Sequence, residues 1–298
     1  MRPGLLALVL VACLARTGWG QTGAVDRTWP AAGDRVSVRA PNASVYVDAW
    51  DRDEIRVRKT DAGSRHDLGV SASPDSGLVI DVRHLAPADP ELSARDTVFV
   101  TIPRRSELSV QTYRGSVGVV GIEGDVRLES FFGRAEYRGD AERVSVAGFH
   151  GAARIDSPSA TEVVVTTGGG DVVLLTGGGV VRVESVRGDI DVRALRAVGR
   201  ATIESTSGSI GFEASLSADA EIVLDTHGGD VALRLGPGSG ARIELETYRG
   251  AIRNDLGPSI PAAGGPVRRS HVEFTVYGGR AIVRASTFLG DIIVRASR

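Results

Sequence analysis

Apolar residues fall at every second position through most of this chain, in short runs broken by polar corners. Val181 to Val192 reads Val-Arg-Val-Glu-Ser-Val-Arg-Gly-Asp-Ile-Asp-Val, two alternating runs on either side of a Ser-x-x-Gly-Asp corner. A period of two is the mark of a strand with one face buried, and Ser, Gly and Asp between the runs are turn residues. The same arrangement returns at 163–174, 201–212 and 222–233.

The corner glycine serves as a ruler. It stands at Gly115, Gly133, Gly151, Gly170, Gly188, Gly208, Gly229, Gly250 and Gly290, in steps of 18, 18, 19, 18, 20, 21, 21 and 40 residues, the last about two periods. Three positions earlier, eight of nine residues carry a hydroxyl: Thr112, Ser130, Thr167, Ser185, Ser205, Thr226, Thr247 and Thr287, with Gly148 the exception. Asp171, Asp189, Asp230 and Asp291 follow the glycine directly. A repeat of ~19 residues predicts an all-β fold, a single-chain parallel β-solenoid (β-helix) of nine or ten coils spaced ~4.8 Å apart, a rod roughly 45 Å long. Equivalent positions then stack, so the hydroxyls bond from coil to coil and the glycines supply the positive φ of a bend. An antiparallel meander also accepts Ser-x-x-Gly loops but does not require one residue type at one place in every repeat. The general preference of parallel crossovers predicts a right-handed coil.

Along the chain, residues 1–20 read as a signal peptide and 21–34 as a linker. Residues 35–105 form an N-terminal β region of first coils and cap, and 106–298 form the repeat solenoid with a loop inserted at 257–271. Met1 to Gly4 followed by the apolar run Leu5 to Ala15 is a charged start with a core too short to span a bilayer, and Gly18 and Gly20 suit cleavage before Gln21. Leu10-Val-Ala-Cys13 offers the alternative of a lipoprotein acylated at Cys13. The expected location is therefore exported: periplasm, cell surface or extracellular, with no transmembrane segment in the mature chain. Cys13 is the sole cysteine, so cleavage at Gln21 leaves no disulfide.

Composition narrows the function. Glycine supplies 38 of 298 residues, well above the usual ~7%, and aromatic residues only 5%, so the interior must be narrow and lined by Val, Ile, Leu and Ala. A net charge of −2 gives no pull toward nucleic acid. Basic residues are Arg throughout, with Lys59 the one lysine.

Val98 to Pro103 (Val-Phe-Val-Thr-Ile-Pro), Leu108 to Val117 and the repeated Gly-Asp-Val/Ile corners resemble the bacterial putative-adhesin β-strand-repeat domain, a domain of unknown function in exported envelope proteins. The resemblance runs from about Arg35 to Arg298. It implies a parallel β-helix at the cell envelope, brings no catalytic residues with it and leaves the ligand open.

Two positions before the corner glycine stand Tyr113, Phe131, Phe149, Gly168, Val186, Thr206, His227, Tyr248 and Phe288. The alternation turns this column outward. Tyr113, Phe131, Phe149, His227, Tyr248 and Phe288 would line one outer edge, either as a platform for a glycan or an envelope protein or as self-stacked stiffening of the corner. Arg114, Arg187 and Arg249 occupy the next column. Gly168 to Asp171 and Gly228 to Asp230 are similar to calcium-binding glycine-rich repeats, but those recur every nine residues and turn capping accounts for the Asp here. His66, His84, His150, His227 and His271 share no metal spacing. Asp171, Asp189 and Asp191, close in sequence or in adjacent coils, are carboxylates that a β-helical polysaccharide lyase or hydrolase would draw on, but turn chemistry explains their place at the corners. The expectation is a non-catalytic surface solenoid that binds a glycan or an envelope protein, with no cofactor and no metal. An envelope stress-sensing or regulatory partner domain is the alternative from another class.

Overall fold

A computed structural model describes residues 25–31, 33–60, 66–73, 77–84, 97–257 and 270–297. Residues 1–24 and 258–269, and with them the expected signal peptide, Cys13 and most of the expected loop, lie outside the described residues. The described chain is all strand and turn, arranged as two sheets of thirteen strands each. Every coil contributes one strand to each sheet. Strand 179–187 in the second sheet, for example, turns at Gly188 into strand 190–194 in the first. The parallel β-solenoid expected from the repeat is the fold.

Register explains why the repeat folds this way. Val165, Val183, Ile203 and Leu224 are successive partners in the second sheet, and Leu174, Val192, Phe212 and Leu233 in the first. All eight are fully or almost fully buried, so each strand buries its alternate side chains on those of the coils above and below. Val183, Val192, Ile203, Ile210, Leu224 and Val231 share one continuous core. At about 1.5–3 kcal/mol for each such side chain, this stacked interior is the main favourable term in folding. Coils longer than 18 residues place the surplus at the second corner, where the ladder is irregular at Gly179/Val180 and at Val198/Arg200.

The glycine column has a cause beyond backbone angle. Gly188 does have a positive φ of 110°. Gly229 does not, yet a Cβ there would overlap the carbonyl oxygen of Gly208 one coil below. Close approach of successive corners is the shared requirement, and positive φ is met only at some of them.

At both ends, spatial order departs from chain order. Strand 35–39 lies between 77–84 and 107–114, so the first coil is threaded inside the second. Strand 281–287 lies between 216–228 and 241–247, so the last coil is threaded inside the one before it. The 40-residue glycine step runs from Gly250 on the outermost coil out through antiparallel strand 270–276 and back to strand 281–287. Antiparallel strands then close the ends: 25–30 on 54–60 and 66–73 on 77–84 at one, 270–276 on 241–247 at the other. They cover sheet edges that would otherwise template aggregation. Two in each sheet are outermost additions or antiparallel partners of this kind, leaving eleven stacked rungs where nine or ten were expected.

Among the described residues two large polar side chains sit inside, Lys59 and Tyr137. Tyr137 is 2% exposed; its hydroxyl donates to the Ile122 carbonyl at 2.6 Å and accepts from the Ala141 amide at 2.8 Å. Burial pushes its phenol up to about 12, the Ala141 hydrogen bond opposing this in part.

Candidate functional site

The hydroxyl column fixes the first corner. Thr226 donates to Gly208 O at 2.8 Å, Thr287 to Gly229 O at 2.8 Å and Thr247 to Gly290 O at 2.8 Å, each reaching the neighbouring coil. Thr167 and Ser185 turn instead to carbonyls of their own corners, Gly169 and Arg187. The Asp that follows the glycine caps the neighbouring coil from outside. Asp171 accepts from the Asp189 amide at 3.0 Å, Asp189 from Ser209 at 2.8 Å, Asp230 from Asp291 at 2.8 Å and Asp291 from Ala251 at 2.8 Å. Amide capping gives these carboxylates a structural task. Among the described residues no group of three or more His, Cys, Asp or Glu is placed to hold a metal ion.

With Thr or Ser held inward and Asp held against the next coil, the residue between them is forced outward. Tyr113, Phe131, Phe149, Tyr248 and Phe288 are exposed by 37–47%. They form two stacks. Tyr113, Phe131 and Phe149 make the first, with consecutive centroids 4.9 Å apart and planes within 16°. In the second, Phe288 lies between His227 and Tyr248, 4.8 Å from each. Three coils carrying Gly168, Val186 and Thr206 separate them, so the column is interrupted and its order in space is 227, 288, 248.

Two further rings join the first stack. Phe132 and His150, one position later, stack on each other at 5.5 Å, and Phe132 meets Phe131 edge-on at 4.8 Å. Their signal lay in the doublets Phe131-Phe132 and Phe149-His150. Arg114, Arg187 and Arg249 share this column, exposed, with Phe132 and His150 between Arg114 and Arg187.

Both stacks border open grooves on the outer face of the second sheet. A groove of about 570 Å³ beside the first is lined by Arg39, Gln111, Glu129, Ala147, Tyr113 and Phe149. Another of about 590 Å³ runs past the three-coil gap to the second stack, lined by Glu184, Glu204, Asp225, Val186, His227 and Tyr248. His271 lies apart, opposite Glu246 in the ladder. His66 and His84 are register partners at the far end. Asp191 is on the outer face of the first sheet, away from these grooves.

A two-sheet parallel solenoid with a ring-bearing edge is thus the class of protein that the fold and surface define. Residues 34–242 match the family model described as Toastrack DUF4097. The chain belongs to that family. Among solved structures, a putative cell adhesion protein from Clostridium sporogenes is 11% identical, with 92% of this chain and 100% of that one covered and a TM-score of 0.26. A putative lipid binding protein from Parabacteroides distasonis is 10% identical over 94% and 98%, with a TM-score of 0.45. A putative adhesin from Bacteroides fragilis is 9% identical over 93% and 98%, with a TM-score of 0.37. No curated protein matches the chain. Among the described residues no helix is long and apolar enough to cross a membrane.

Proposed function

We propose that the chain is an exported, non-catalytic solenoid of the cell envelope or surface, an adhesin-like rod whose docking face is the ring-bearing edge of the second sheet. The observation that carries this reading is the exposure of the rings. Gly168, Val186 and Thr206 occupy the same position in intact coils, so the corner does not demand an aromatic residue. Contiguous exposed apolar surface of this kind marks interaction sites.

The stacking bears on the partner. Within each stack the ring faces are turned toward one another at 4.8–4.9 Å, which leaves a row of edges along the stack and open faces only at its two ends. A sugar docks on an open ring face, whereas a ribbed row of ring edges suits the apolar strip of a protein. An envelope protein is therefore the favoured partner over a glycan. Attachment of labelled mature chain to protease-treated and to untreated envelope fractions separates the two: loss after proteolysis supports the protein partner, and undiminished attachment together with glycan-array binding contradicts it.

Export belongs to the same proposal, with Gln21 as the mature N-terminus. Mass spectrometry of the N-terminal peptide tests it, and a diacylated Cys13 peptide would replace it with a lipoprotein.

A further inference from the structure

The outer columns of the second sheet differ in how they handle charge. Along the column at the strand starts, arginine and carboxylate pair from coil to coil: Arg35 with Glu107 at 2.9 Å, Arg143 with Asp125 at 2.7 Å, Arg200 with Glu221 at 3.7 Å. The column beside the aromatic edge breaks that rule. Glu184, Glu204 and Asp225 are direct register partners on three successive rungs, with no basic residue in the column between them. Glu184 and Glu204 form no ion pair among the described residues, and Asp225 accepts only the Ser286 hydroxyl, at 2.7 Å. Like charges directly opposite on neighbouring strands oppose folding. A column of three at ~4.8 Å spacing is thus a cost that the pairing used elsewhere on the same sheet would have avoided.

The surroundings give this charge a shape. The three carboxylates form one wall of the groove of about 590 Å³, and Val186, Thr206 and His227 form the wall at the sheet edge. At one end, one rung beyond the lining residues Thr166 and Thr167, Phe149 leans over Gly168, which has no Cβ to displace the ring. The second stack stands at the other, with the face of His227 that is turned from Phe288 looking into the groove. From Phe149 to His227 is four rungs, about 19 Å, room for five or six residues of extended chain. Arginine side chains every second residue of such a chain recur at about 6.8 Å, within reach of glutamates on adjacent rungs. Guanidinium groups also pack on the apolar and aromatic wall.

We infer that this groove docks a basic, extended segment of a partner protein, laid along the rod axis between the two ring stacks. The inference rests on the second-sheet edge as docking face and names the chemistry of what it receives: negative charge and ring edges on this chain, arginine or lysine alternating with small residues on the other.

The test uses a fluorescein-labelled (Arg-Thr)5 peptide, whose arginines share one face when extended, and fluorescence anisotropy at about 50 mM and about 300 mM salt. The parent chain binds, with affinity falling as salt rises. Glu184→Gln/Glu204→Gln/Asp225→Asn lowers affinity about tenfold or more without lowering the melting temperature, and Glu204→Gln alone gives a smaller loss in the same direction. Glu136→Gln/Asp156→Asn/Asp191→Asn removes the same charge from the other sheet and leaves affinity within about twofold. Equal loss in both triple variants, no loss in the first, or no binding by the parent overturns the inference. Tyr113→Ser/Phe131→Ser, which tests the wider docking face through envelope attachment, leaves the groove carboxylates and Phe149 in place, so failure of one proposal is distinguishable from failure of the other.

Discussion

Phe288 lies face to face with His227, ring centroids 4.8 Å apart and planes 6° apart, although the coil bearing Tyr248 comes between them in the sequence. The last coil of the chain has been inserted beneath the one before it. Two residues earlier on the same two coils, the side chains of Asp225 and Ser286 meet at 2.7 Å. Asp225→Cys/Ser286→Cys should therefore close a disulfide on mild oxidation, and Asp225→Cys/Glu246→Cys should not. Bridging by the second pair alone, read by mobility shift and peptide mapping, would place the coils in chain order.

Ile203 is fully buried between Val183 and Leu224 on neighbouring coils. Ile203→Asp puts an unpaired carboxylate into that stack, at a cost of several kcal/mol. The expected outcome is loss of the cooperative melting transition or a large fall in its midpoint. A variant that melts with the parent would mean that the inward assignment is wrong.

Asp189 accepts the Ser209 amide at 2.8 Å and donates its own amide to Asp171 at 3.0 Å. Asp189→Ala removes the first bond and keeps the second, so the expected loss is about 1 kcal/mol, with Asp189→Asn milder. Chemical denaturation measures it. Calcium should leave the midpoint of the parent unchanged, because capping accounts for the column.

Tyr137 gives the fold an alkaline limit. Its phenol is held at about 12 in the folded chain against an ordinary value of 10, the neutral form being favoured by burial. A raised folded value contributes stability that is complete below pH 10 and lost as pH climbs toward 12. The decline should amount to roughly 2–3 kcal/mol over that window. Tyr137→Phe should be destabilised at neutral pH, through the unpaired Ile122 carbonyl and Ala141 amide, and should show a flatter decline above pH 10. Equal slopes for the two proteins would contradict this.

The core was legible because every coil repeats the same alternation: Val183 and Ile203 are inward for the reason visible in Val-Arg-Val-Glu and Thr-Ile-Glu. That sameness concealed the order of the terminal coils. A Thr-x-x-Gly corner at Thr247 stacks on any other, so nothing local says that Gly290 rather than Gly250 follows Gly229. The outward rings were legible as a column, but the closing of ring faces within each stack depends on inter-coil distance. Phe132 and His150 share their column with Arg114, Arg187 and Arg249, and the arginines hid the two rings among them. The carboxylates at 184, 204 and 225 are 20 and 21 residues apart, and only the ladder, with its irregular second corner, brings them onto successive rungs.

The central claim is that the rings of the second-sheet edge are a docking face, and Phe131→Ser/Phe149→Ser tests it most directly. Phe131 stacks on Tyr113 and on Phe149, so losing both contacts should lower stability by about 1–3 kcal/mol and still leave a folded protein at room temperature. Attachment of the folded variant to envelope fractions, measured against the parent at equal folded concentration, is the deciding quantity. The account predicts that attachment falls at least about tenfold. A variant that melts lower yet attaches with the affinity of the parent would contradict it and leave the rings as stiffeners of the corner.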